Sequence, residues 1–116
     1  MNTHYPFKLQ PLNFDYSELE PCISKRTLEF HHDKHLLGYT NNLNKALENA
    51  PELQGHSLNY ILSNLKKVPE NIRTAITNNG GGVFNHVFYC FVHDYIHNNF
   101  LDFINIYCNS LEEQIA

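Results

Sequence analysis

Two histidine-containing segments constrain this chain more than any other feature of its sequence. They read F-H-H-D-K-H-L-L-G-Y at residues 30–39 and N-N-G-G-G-V-F-N-H-V-F at residues 78–88. In the first, His31, His35 and Tyr39 recur every four residues, so on a helix they share one face. Leu28 lies on the same face. These polar groups are therefore predicted to point into an apolar seam, where each would cost about 1–3 kcal/mol if left unpaired.

The second segment places one more imidazole, that of His86, among apolar residues. Its neighbours are Val83, Phe84, Val87 and Phe88. A metal ion bound by both His31 and His86 would satisfy the polar groups of the two segments at once. The alternative is a pair of core histidines that form hydrogen bonds with the backbone or with Tyr39.

Composition limits the class of protein. A chain of 116 residues fits one domain with a hydrophobic core. The net charge of −4, with Lys and Arg scattered, argues against a nucleic-acid-binding surface. No signal peptide or membrane-spanning segment is visible, so a cytoplasmic protein is expected. Three cysteines far apart in the sequence indicate free thiols rather than disulfides: Cys22, Cys90 and Cys108.

The pattern along the chain predicts an all-α fold. Prolines at 6, 11 and 21 indicate an extended N-terminal arm. Ser24 can cap a long helix that runs to about residue 49, and Ser57 can cap a short one. Pro69 suits the first turn of another helix. Residues 83–97 are predicted to be helical, and residues 100–115 are predicted to form a last amphipathic helix. Taken alone, the three glycines at 80–82 would end a helix.

The two histidine segments, in this order and separation, resemble the amino-terminal half of the manganese/iron superoxide dismutases. The resemblance begins with P-F-K-L-Q-P-L-N-F-D-Y at residues 6–16, continues through L-E-P-C-I-S at 19–24 and extends to about Tyr89. It implies an antiparallel hairpin of two long helices joined by short ones, with the second helix continuous through 80–82. It also implies that His31 and His86 bind manganese or iron, and that His35 and Tyr39 gate solvent and protons.

The sequence of this chain departs from the family's pattern at Leu36 and from Tyr89 onward. The D-x-W-E-H segment that carries the family's two remaining ligands is absent, Leu36 replaces a common histidine, and Tyr89 falls at the usual tryptophan. The resemblance makes His93 the third metal ligand, with Asp94 as the other candidate. A glycine at 82, where iron-type members carry glutamine, favours manganese.

A rebuilt site is also conceivable from the sequence. On a continuous helix, four potential ligands fall within an arc of about 60°: His86, Cys90, His93 and His97. Histidine and cysteine ligands favour zinc or copper over manganese. Zinc does not change oxidation state, so such a site would not react with superoxide.

Two functional hypotheses follow. In the first, residues 1–89 form a superoxide dismutase helical hairpin domain, residues 90–116 are a residual helical segment packed on it, and the protein converts superoxide to peroxide and oxygen. In the second, it is a truncated, catalytically impaired remnant that only binds metal or a partner. In either case a homo-oligomer, or a second chain that supplies the missing domain, is expected.

Overall fold

The computed structural model describes residues 4–9, 11–12, 14–20 and 23–99, with side chains at all of these except 90, 91 and 93–99. Helices account for most of the described chain, and no strand occurs in these ranges. The all-α prediction is therefore confirmed. The predicted last helix at 100–115 lies outside the described residues, as do Cys22 and Cys108. The predicted domain boundary between 89 and 90 falls inside a helix and stays a prediction.

Five α-helices follow one another, with one π-helical and one 3₁₀ segment between them. Their bounds are α1 Lys25–Phe30, a π-helix His31–Leu36, α2 Leu37–Leu47, α3 Pro51–Gln54, α4 Leu58–Ser63, a 3₁₀ turn Leu65–Lys67 and α5 Glu70–Asn99. The first three segments form the single long helix that the sequence predicts, although its π-helical middle was not predicted. Both predicted caps are confirmed, because the hydroxyls of Ser24 and Ser57 accept hydrogen bonds from the backbone N–H groups of Thr27 and Tyr60, each at 3.1 Å.

The two long helices form an antiparallel hairpin. Three contacts between them pair His31 with His86, Tyr39 with Gly82, and Leu43 with Gly80. The residue number rises along the first helix while it falls along the second, which fixes the antiparallel sense. Helix α5 runs without a break through Gly80–Gly82, so the resemblance predicted its course correctly and the glycines do not end it. None of these glycines has a positive φ angle.

A hydrophobic core lies between the two long helices and the short ones. Its largest fully buried side chains are those of Leu43, Leu47, Ile61, Val68 and Ile76. The N-terminal arm is held against α2 by a reciprocal pair of hydrogen bonds, in which the N–H of Phe7 donates to the side-chain oxygen of Asn44 and the Asn44 amide donates back to the Phe7 carbonyl. The side chain of Phe7 is buried in the same core. The arm thereby fixes one flank of the helix that carries the first histidine segment.

Candidate metal centre

Three imidazoles meet at the crossing of the long helices. His31 and His35 come from the π-helix, and His86 comes from α5. The rings of His31 and His86 are stacked, with centroids 4.3 Å apart and planes inclined by 22°. One nitrogen of each of the three rings lies within 4.8 Å of the others. The structure thus brings together His31 and His86, which the resemblance predicted as ligands, and adds His35, which it predicted as a gate.

The segment that carries two of the three imidazoles is π-helical. A π-helix closes each hydrogen bond from residue i+5 instead of i+4, and such turns occur frequently at functional sites. Leu28, His32 and Leu36 form the buried stripe on this side, with at most 5% of each residue exposed. His31 lies beside that stripe and is half-buried, while His35 is exposed. The prediction that His35 points into an apolar seam is therefore wrong.

A backbone carbonyl fixes the orientation of His86. Its Nδ1 lies 2.7 Å from the carbonyl oxygen of Gly82, which can only accept, so Nδ1 carries the proton and donates. The Nε2 atom is then the nitrogen with a lone pair for a metal ion. Burial lowers the pKa of His86, the nearby His35 lowers it further, and the hydrogen bond to the Gly82 carbonyl opposes both. The neutral, metal-binding form of this ring is thereby favoured.

Gly82 also makes room for Tyr39. A β-carbon at position 82 would lie 2.6 Å from the ring of Tyr39, closer than real carbon atoms approach. The tyrosine ring therefore packs directly on the backbone of α5, with its centroid 5.1 Å from that of His86. From the sequence, the resemblance makes this glycine an indicator of manganese rather than iron. The structure shows that it has a steric role as well.

The other predicted ligands fall where side chains are not described. Helix α5 contains all four of them, namely His93, Asp94, Cys90 and His97. Their role in a metal site stays a prediction. Among the described side chains, no carboxylate or thiolate joins the three imidazoles within the same mutual distance. The described part of the cluster therefore offers only neutral nitrogen donors.

A second polar network, which sequence reasoning did not find, lies next to the cluster. His32 is only 5% exposed, and its Nδ1 lies 2.8 Å from a carboxylate oxygen of Asp33. The hydroxyl of Tyr16 donates to the same oxygen and lies 3.2 Å from His32 Nδ1. The signal that could have revealed this is the four-residue spacing of Leu28, His32 and Leu36. This network attaches the segment before α1 to the π-helix.

This network predicts an alkaline destabilisation. Burial, followed by the hydrogen bond to Asp33 and its negative charge, raises the pKa of Tyr16 to about 12. The folded state therefore keeps a proton that the unfolded state releases above its ordinary pKa of about 10, so this stability is complete below pH 10 and declines as the pH rises toward 12. Tyr16→Phe is expected to reduce that decline in urea unfolding series between pH 9 and 12.

Tyr60→Phe provides the matched control for the alkaline series. Tyr60 is half-buried like Tyr16, but its hydroxyl faces the ammonium of Lys67 at 3.5 Å rather than a carboxylate. Removing this hydroxyl breaks no hydrogen bond to a carboxylate, so we expect it to reduce the alkaline decline less than Tyr16→Phe does. Equal slopes in the parent and in Tyr16→Phe would contradict the role assigned to the Tyr16–Asp33 hydrogen bond.

Comparison with known proteins agrees with this geometry. The family model described as iron/manganese superoxide dismutases, α-hairpin domain, matches residues 6–95. A manganese superoxide dismutase of Leptolyngbya boryana is 50% identical over 84 residues, which are 72% of this chain and 34% of that relative. A second, from Bacillus anthracis, is 52% identical over 80 residues, or 69% of this chain and 38% of the relative.

A Mn/Fe superoxide dismutase of Staphylococcus aureus strain N315 is 51% identical over 80 residues, which are 69% of this chain and 40% of the relative. The matched part of the chain thus spans between about a third and two fifths of the length of these curated relatives. In the part of the chain that the structure describes, no helix combines the length and the apolar character needed to cross a membrane.

Proposed function

This chain belongs to the iron/manganese superoxide dismutase family through its α-hairpin domain, and from this premise we propose that His31 and His86 bind a redox-active manganese or iron ion. At that ion, superoxide is converted to peroxide and oxygen. The observation that carries the proposal is the stacked pair of rings, 4.3 Å apart, contributed by two helices that are distant in sequence. The names of the relatives, which specify manganese or manganese and iron, support the choice of metal.

The donor atoms fit part of such a site. Imidazole nitrogen is a suitable ligand for iron, while manganese favours carboxylate and water oxygen. The hydrogen bond from His86 Nδ1 to the Gly82 carbonyl leaves Nε2 as the donor atom, as in most histidine ligands of metal sites. An anionic ligand has to come from outside the described side chains. Asp94 of this chain, or a carboxylate of a second chain, would supply that anionic ligand, and His93 would add a further nitrogen donor.

A manganese or iron ion held by His31 and His86 would supply one-electron redox chemistry for the conversion of superoxide. The rest of the chemistry depends on protons, because forming each peroxide consumes two of them. His35 is exposed to solvent, and one of its nitrogens lies within 4.8 Å of those of His31 and His86. This position supports a role for His35 in passing protons between solvent and the site. Tyr39, packed on Gly82, holds the inner side of that path.

One observation favours a second candidate function. The cluster in the described residues contains only neutral imidazoles. A trivalent ion is stabilised poorly without an anionic oxygen ligand. A hairpin that binds a metal ion without turnover, a catalytically impaired relative of the family, is therefore the alternative.

The test combines metal analysis with a superoxide-consumption assay. The purified full chain is stripped with a chelator, reloaded with manganese or iron, and compared with His86→Ala and with His56→Ala. His56 stacks on Tyr60 and lies outside the cluster, so it controls for the loss of a histidine. We expect equimolar metal and superoxide consumption in the parent and in His56→Ala, and neither in His86→Ala. Bound metal without superoxide consumption supports the alternative, and absence of bound metal overturns both.

A further inference from the structure

His35 can also act as a metal ligand, a role that the proposed function does not give it. Its ring centroid lies 5.5 Å from that of His31, and one of its nitrogens is within 4.8 Å of a nitrogen of His31 and of His86. The proposed dismutase site counts His35 as a proton-transfer group and not as a ligand. Geometrically, however, it belongs to the same cluster as the two ligands.

The distances allow a common ion after side-chain rotation. In a tetrahedral site, two zinc–nitrogen bonds of about 2.1 Å hold their donor atoms about 3.4 Å apart. The three nitrogens, which lie within 4.8 Å of one another, would therefore have to approach by up to about 1.4 Å. His35 is exposed and its side chain can turn, whereas His86 is held by the Gly82 carbonyl. His86 would thus be the fixed ligand and His35 the one that moves into place.

The donor set selects the kind of cation. Three neutral imidazoles with a position left for water are a known ligand set for zinc. Among divalent ions, affinity for nitrogen ligands is lowest for manganese and much higher for copper and zinc. The described residues place no carboxylate in the cluster that would shift this preference toward manganese.

We propose that His31, His35 and His86 form a three-histidine site for a divalent cation of the zinc class, with the fourth position open to solvent. The site shares His31 and His86 with the proposed dismutase site, but it requires neither turnover nor a ligand from beyond the hairpin. Zinc does not change oxidation state, so its occupancy excludes superoxide chemistry. Zinc and a redox-active ion therefore compete for the same pair of rings.

Zinc titration of the metal-free full chain tests this proposal. Isothermal titration calorimetry on the parent, His35→Ala, His93→Ala and His56→Ala should show equimolar zinc binding in the parent. The affinity is expected to fall by at least about 10-fold in His35→Ala, a loss typical of weakened metal sites, and to stay within error in His56→Ala. X-ray absorption of the zinc complex should count three imidazoles in the parent and two in His35→Ala.

Unchanged zinc affinity in His35→Ala, or a loss confined to His93→Ala, would overturn the three-histidine site. Since His35 is exposed on a helix, alanine there should preserve the fold, and circular dichroism of each variant verifies this. Loading with manganese or iron distinguishes this inference from the proposed function. If zinc binding depends on His35 while neither manganese nor iron loads, the three-histidine site stands and the dismutase proposal fails. If His35→Ala loses neither metal, only the three-histidine site fails.

Discussion

Replacing Gly82 with alanine is expected to destabilise the hairpin, even though alanine is the better helix former. The new β-carbon would lie 2.6 Å from the Cγ and Cδ1 atoms of Tyr39. These atoms are near the base of the ring, so the ring cannot avoid the clash by moving its far end alone. Overpacking of this kind costs about 1–3 kcal/mol, and the gain in helix propensity of about 1 kcal/mol offsets only part of it.

The same substitution should also disturb the candidate metal centre. Tyr39 packs against His86, and a displaced tyrosine ring or a shifted α5 would change the position of that imidazole. We therefore expect weaker metal binding together with a lower urea midpoint. A stability loss without any change in metal affinity would mean that the Tyr39 ring does not help to position His86.

Gly81→Ala is the matched control. Gly81 is the preceding residue of the same helix, and a β-carbon there would have no described atom within 4 Å apart from its chain neighbours and the adjacent backbone of its own helix. The substitution should raise the free energy of unfolding by up to about 1 kcal/mol, because glycine in a helix interior is unfavourable by that amount relative to alanine. Changes of the same sign in Gly81→Ala and Gly82→Ala would contradict the steric explanation.

Truncating Leu43 to alanine is expected to lower the free energy of unfolding by about 2–5 kcal/mol. Leu43 is fully buried in α2, and one of its terminal methyl groups lies 3.6 Å from the place that a β-carbon of Gly80 would occupy. It thus fills the space that a glycine leaves where the two long helices cross. Alanine at 43 would leave a cavity at this crossing. The measurement is urea unfolding followed by circular dichroism.

Leu37→Ala serves as the comparison for that experiment. Leu37 belongs to the same helix but is 38% exposed. Its truncation removes less buried apolar surface and creates no enclosed cavity, so it should cost clearly less than Leu43→Ala. Similar losses for the two variants would show that the crossing of α2 and α5 is not as closely packed as the structure indicates.

Much of the helical architecture was predictable because its signals are local. Ser24 and Ser57 cap the helices that follow them, since a side-chain oxygen needs only the N–H three residues later in the chain. The three consecutive glycines were ambiguous for the opposite reason. Glycine permits both a helix end and a helix interior, and contacts with Leu43 and Tyr39 select the interior.

Part of the candidate site was equally predictable. The four-residue spacing places His31 and His35 on one side of a helix, and the resemblance to a family pairs His31 with His86. The resemblance did not indicate that His35 joins them, nor did the sequence indicate that His32 and Asp33 bind Tyr16. Both arrangements are contacts between segments that are distant in the sequence, with α5 in the first case and with the segment before α1 in the second.

The grouping of residues around each helix axis was predictable from the sequence, because helical periodicity is a property of the local backbone. Which of these groups faces the core depends on packing between separate segments of the chain. His32 is buried on the side of the π-helix where the segment before α1 packs, whereas His31 and the exposed His35 lie on the side that α5 approaches. The approach of His86 to His31 is a contact between helices, and periodicity within one helix does not specify it.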